Sequence, residues 1–222
     1  MNQRFLIKVV VAGLAAAGLA SCASVFDPKS GTSFFVTSAN PGKGGDLGGL
    51  AGADALCTSL ATAAGFGDKG WKAYLSTQAT GGAPAVNARD RIGNGPWVNS
   101  KGVVVAYNSA ELHGTNNINL QTALTDKGVP VLARPATPNQ HDIMTGSAPD
   151  GTALPPGRDA TCSNWTGGGQ GGAMVGHVDR TGTNPNPIAN QSWNSSHITP
   201  GCAMPDLARV GGGGLFYCFA PK

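Results

Sequence analysis

The chain has 222 residues, 34 of them glycine and 15 proline, with 15 basic and 12 acidic side chains making up only 12% of the total. That length supports one well-buried core, and a Gly- and Pro-rich, charge-poor composition suits a loop-rich extracellular domain better than a helical cytosolic one. Lys and Arg are scattered singly, without the clustered basic face of a nucleic-acid binder, so nucleic acid is excluded as a partner.

Residues 1–21 read as an export signal, because Arg4 and Lys8 precede an uncharged apolar run over residues 9–20. A membrane span needs about 20 apolar residues, so this run is too short to anchor the protein by itself. The run ends Leu19-Ala20-Ser21-Cys22, which resembles a bacterial lipobox. There the cysteine thiol is diacylated, the peptide is cut before the cysteine and the new amino group is acylated. Cys22 is then the lipidated N-terminus, and several acyl chains on one residue hold a protein to a bilayer far better than one. Residues 22–32 form a tether, and an ordinary secretory peptide with a stray cysteine is the alternative. Ala23 stands where an Asp directs such lipoproteins to the inner membrane, which favours the outer membrane or cell surface of a double-membrane bacterium. Removing Arg4 and Lys8 leaves 13 basic against 12 acidic residues, a nearly neutral mature chain.

The folded domain is expected over residues 33–222. Residues 33–39 (SFFVTSA) predict a first strand, followed by a Gly-rich loop. Over residues 51–64, Leu56, Leu60 and Ala63 share a face with Cys57 at helical spacing, and Gly65 closes the helix. Residues 70–77 (GWKAYLST) predict a central strand that alternates Trp71, Ala73 and Leu75 against Lys72, Tyr74 and Ser76. Residues 96–108 predict a hairpin around Ser100-Lys101-Gly102. Beyond Gly128 regular structure is hard to assign until a terminal strand over residues 213–220, and no internal repeat is visible.

Setting Cys22 aside leaves Cys57, Cys162, Cys202 and Cys218, an even set that predicts two disulfides in an oxidising compartment. Three pairings are open. Zinc is the rival reading, but no two of these cysteines have the close spacing of a zinc knuckle.

Catalytic signals are sparse. Glu111, the single glutamate, lies near His113 without a second carboxylate to work against. His141-Asp142 and His177-Val178-Asp179 place His near Asp but read as solvent-facing turn residues. No Ser sits in a nucleophile elbow, and GGGQGG at 167–172 lacks the Lys of a phosphate loop. No catalytic residue, metal ligand or cofactor is therefore expected. Trp71 and Trp97 belong to strand-like runs and predict core. Trp165 and Trp193 lie in the irregular segment, where they either cap the core or form a binding face.

Five stretches in order carry a family resemblance: GGLAGADALCTSLATAAGFGDKGWKAYLS (48–76), RDRIGNGPWVNSKGVVVAYNSAELHG (89–114), GSAPDGT (146–152), ATCSNWT (160–166) and LFYCF (215–219). They resemble endostatin, the C-terminal fragment of a basement-membrane collagen, and more closely the bacterial endostatin-like surface lipoproteins. The resemblance implies an α+β, C-type-lectin-like fold: a twisted mixed sheet, two helices and a long irregular loop region. It also implies that Cys57 pairs with Cys218 and Cys162 with Cys202. The N-terminal histidines that bind zinc in endostatin are missing here, and so is its arginine-rich heparin face. Trp193-Asn194-Ser195 keeps only two positions of the lectin Trp-Asn-Asp calcium triplet, so binding is expected to be calcium-independent. The function implied is an adhesin-like module for extracellular matrix or host plasma proteins, with Trp165, Trp193 and Asn194 as the ligand-binding surface. The alternative is an envelope protein binding the cell's own glycans or partner proteins; an enzyme is a third reading.

Overall fold

The computed structural model describes residues 28–222. The expected signal sequence, Cys22 and the first part of the tether lie outside the described residues. The elements are, in order, α1 (Pro28–Gly31), β1 (Phe34–Val36), α2 (Gly49–Ala64), β2 (Lys72–Ala73), β3 (Trp97–Val98), β4 (Val104–Ala106) and α3 (Ser109–Leu112). They continue with β5 (Asp142–Met144), α4 (Cys162–Trp165), β6 (Met174–His177), α5 (Pro187–Asn190), β7 (His197–Ile198), α6 (Met204–Val210) and β8 (Gly212–Phe219). The class is α+β, with an open mixed sheet ordered β1-β8-β5-β6-β7 and β2 also on β8.

The sheet is organised by β8, whose eight residues are all buried. A near-continuous apolar run is what a strand covered on both faces requires, and alternation sends its side chains to two separate cores. Phe216 and Cys218 join Phe35, Trp71, Ala73 and Cys57 on one face. Leu215, Tyr217 and Phe219 join Phe34, Tyr74, Trp97 and Trp193 on the other. Burying each such large side chain contributes about 1.5–3 kcal/mol. Along one edge of β8 runs β1, antiparallel, with Phe34 opposite Phe219. The other edge is shared: β2 faces Phe219 and Cys218, and β5 runs parallel beside Gly212 to Phe216.

Three expectations need adjustment. The strand expected over 70–77 pairs with β8 only at Lys72 and Ala73; the Tyr74 N–H then bonds Tyr217 O and the Ser76 N–H crosses to Thr145 O. The segment therefore leaves one strand for the next instead of forming a long ladder. In α2 the buried stripe is Ala53, Cys57 and Ala61, four residues apart, while Leu50, Leu56 and Leu60 are partly buried flanks and Ala63 is exposed. Small residues at the centre let the helix lie close to the sheet. Finally, the region beyond Gly128 holds three strands, β5, β6 and β7, that extend the sheet.

Two disulfides are present, Cys57–Cys218 and Cys162–Cys202, with sequence separations of 161 and 40. The first ties α2 to β8. The second closes the segment that carries β6 and β7. Among the described residues no helix is long and apolar enough to cross a membrane.

Candidate functional site

The polar cluster of the molecule is built where β5, β6 and β7 lie side by side. Asp142 opens β5 directly opposite His177, which ends β6. His197 opens β7 opposite Val175, two residues from His177 and on the same face of the sheet. His141 precedes β5 and stacks on His177, with ring centroids 4.7 Å apart and planes within 6°. Three imidazoles thus surround one carboxylate.

The distances are short and the burial is nearly complete. His141 Nε2 lies 3.2 Å and His177 Nε2 3.4 Å from Asp142 Oδ1, while His197 Nε2 lies 3.3 Å from Oδ2. The Asp142 side chain has 0% exposure, yet neither of its oxygens has an aligned hydrogen-bond partner. The imidazoles are close enough for attraction and aim to the side of the oxygens. A buried carboxylate normally accepts several hydrogen bonds, so this one is exceptional.

The far side of each inner ring is fixed. His141 Nδ1 is 3.0 Å from Asp179 Oδ1, and His177 Nδ1 is 2.9 Å from the Asn190 carbonyl oxygen. Both partners are acceptors, so each Nδ1 donates to them and each Nε2 faces Asp142. Ser196 Oγ lies 3.2 and 3.3 Å from the two His177 nitrogens, in line with neither. Burial pushes His177 below its ordinary pKa. Hydrogen bonding toward Asp142 Oδ2, poorly aligned as it is, pulls His197 above its ordinary value against the opposing effect of burial. Burial raises Asp179, but hydrogen bonds from His141 and Thr181 outweigh it and hold the carboxyl below the usual range.

Glycines make room for the rings. A Cβ at Gly211, where φ is +104°, would fall 3.0 Å from His141 Nε2, and one at Gly182 would fall 2.5 Å from His177 Cε1. The three histidines line a cleft of about 680 Å³ whose rim carries Arg134 and Arg209. Both arginines are exposed.

The residues expected to form a binding surface lie away from this cluster and are nearly buried, and Trp165, at the core, does not fit that expectation. Trp165 is 0% exposed, and its Nε1–H donates to Ser76 O at 2.7 Å. Residues Cys162 to Trp165 all have positive φ, a left-handed turn that rotates the indole into the core. Trp193 is 3% exposed and packs on Tyr74 and Tyr217. Asn194 is 1% exposed and donates to Tyr74 Oη, Ala148 O and Pro149 O. Trp165 is wholly core, while Trp193 and Asn194, though nearly buried, line a cleft of about 320 Å³ together with His113 and Arg180. Trp71 and Trp97 are core, at 1% and 0%.

His113 is joined through Nε2 to Tyr74 Oη at 2.8 Å, and Glu111 caps the Tyr107 N–H, so the two do not form a shared acid-base site. His141, Asp142 and His177 are buried rather than solvent-facing, which overturns the turn reading for them, while Asp179 is partly buried in the turn that follows β6. His197 carried no signal in the sequence reading. The available sign was local: Ile143-Met144 after Asp142 and Met174-Val175 before His177 are short apolar runs that bury their polar neighbours. No protein-family model matches the chain, and no curated protein matches it.

Proposed function

We propose that this chain is a lipid-anchored, exported binding protein with an endostatin-like, C-type-lectin-like domain, and that it binds through the three-histidine cleft. It is a binding protein and not an enzyme. The lipobox-like Cys22, the paired cysteines and the mixed sheet with a long, loop-rich crossing segment all support this reading. The observation that carries it is the cleft itself, about 680 Å³, with histidines at its floor and exposed Arg134 and Arg209 at its rim. Exposed guanidinium groups suit carboxylate or sulfate groups of matrix proteins, host plasma proteins or acidic glycans.

The test displays the full chain on cells and measures adhesion to immobilised matrix and plasma proteins. Saturable binding is expected, indifferent to added calcium and weakened about tenfold or more by the double change Arg134→Glu and Arg209→Glu. Absence of saturable binding, or binding that the double change leaves intact, contradicts the assignment. Cys22→Ser should abolish labelling with a fatty-acid analogue; unchanged labelling removes the anchor from the proposal.

A further inference from the structure

We propose that His141 Nε2, His177 Nε2 and Asp142 Oδ1 bind one divalent first-row transition-metal ion of the zinc class at the floor of the cleft. The site needs no ligand in the cleft and stands whether or not the adhesive reading does.

The first argument is electrostatic. Each Nδ1 donates its proton away from the cluster, to Asp179 or to the Asn190 carbonyl. Rings held this way leave Nε2 as the nitrogen that faces the Asp142 carboxylate. Asp142 is wholly buried and both its oxygens lack an aligned donor, a need that a cation held among the three groups would meet. His197, 3.3 Å from the other oxygen, offsets part of the charge but leaves Oδ1 to the two inner rings.

The second argument is dimensional. Zinc stands about 2.0–2.2 Å from nitrogen and carboxylate oxygen, so the edges of its coordination tetrahedron are about 3.3 Å long. The two edges that meet at Asp142 Oδ1 are 3.2 and 3.4 Å. All three donor atoms lie within 4.8 Å of one another.

The third argument is chemical. Two imidazoles and one carboxylate suit zinc, iron, cobalt or nickel, whereas calcium and magnesium require mostly oxygen. A carboxylate on His141 Nδ1 and a carbonyl on His177 Nδ1 are the outer partners that orient metal-bound histidines. Three protein ligands leave one position for water or a ligand atom, and the two histidines line the cleft.

The test strips the full chain with a chelator, dialyses the chelator away, and titrates with Zn²⁺ alone and then with Co²⁺ alone. One equivalent of zinc should bind and raise the Tm, and Co²⁺ should give the intense visible bands of a four-coordinate site. Ring resonances of His141 and His177 should shift with zinc while those of His113 stay; this reading needs no variant. Asp142→Asn and His177→Gln should weaken zinc binding more than about 100-fold, and Asp179→Asn, acting through His141, by about 10- to 100-fold. A folded wild-type chain that binds no zinc, or whose binding moves neither histidine and survives all three changes, overturns the proposal. Because no protein or glycan is present, failure here is separate from failure of the adhesion assay.

Discussion

Two aspartates, one on a helix and one on an inner strand, show opposite ways of keeping a carboxylate inside a protein. Asp54 on α2 receives two hydrogen bonds at 2.8 Å from Arg91 Nη2, one from the Lys72 ammonium at 3.0 Å and one from the Ala73 N–H at 2.9 Å. Asp142 on β5, more deeply buried, receives no aligned donor and faces three imidazoles. The protein completes the first site with its own charges. At the second it gathers imidazoles around a carboxylate that has no aligned donor, and a cation held among them would complete the site.

Breaking the covalent ties should have the largest effect, and an unequal one. Replacing Cys57 and Cys218 with Ser frees α2 from β8 and should cost roughly 5 kcal/mol in the chain-entropy model, against about 4 for Cys162 and Cys202, both upper figures because denatured chains keep structure. Denaturant unfolding measures both. The second pair encloses β6 and β7, so its loss should also weaken zinc binding, which the first pair should affect much less. Equal zinc affinities for the two double variants would contradict this division.

The aspartates themselves should then respond with opposite sign. Asp54→Asn leaves the Arg91 guanidinium, 11% exposed, with a weaker partner and should cost about 2 kcal/mol whether or not metal is present. Asp142→Asn in metal-free protein removes a buried charge that lacks donors, and should be neutral or stabilising by about 1 kcal/mol. With zinc present the same change should be destabilising relative to wild type. Thermal unfolding in chelator and in excess zinc decides it, and a large loss of stability in chelator would place Asp142 in the same class as Asp54.

A smaller effect distinguishes the histidine outside the cluster. Burial holds His113 below its ordinary pKa, opposed by its hydrogen bond to the Ser109 carbonyl. The unfolded chain takes up a proton near 6.5 and the folded chain only at a lower value. Stability from this group is therefore complete above about 6.5 and is lost as the pH falls through the depressed folded value. The stability of wild type relative to His113→Gln should fall between pH 7 and 5; a constant difference would contradict the assignment. Smallest of all, Arg209→Ala breaks an exposed pair with Asp206 and should change stability by less than about 0.5 kcal/mol, while reducing adhesion.

Most of the α2 side was legible in the sequence, because its signals are long. LFYCF is an unbroken apolar run, α2 spans 16 residues, and the hairpin of β3 and β4 turns at Gly102, where φ is +78°. The cluster side was not. Its strands have three, four and two residues, below the length at which alternation can be read, and they carry His, Asp and Gly where strands usually carry β-branched residues. Local sequence therefore suggested turns, and only the succession of pairings from β8 through β5 and β6 to β7 makes them strands. Trp165 was ambiguous for another reason: its direction is set by four consecutive left-handed residues, a conformation that non-glycine residues enter only when the surroundings enforce it. Gly176 shows the same dependence on context, since a Cβ there would lie 1.9 Å from Trp193 O.

The most direct test of the cluster is a crystal of the zinc-loaded full chain measured at the zinc absorption edge. The account predicts one anomalous peak about 2.0–2.2 Å from His141 Nε2, His177 Nε2 and Asp142 Oδ1. No peak at that position, with Asp142 instead accepting aligned hydrogen bonds from protonated imidazoles, would contradict it.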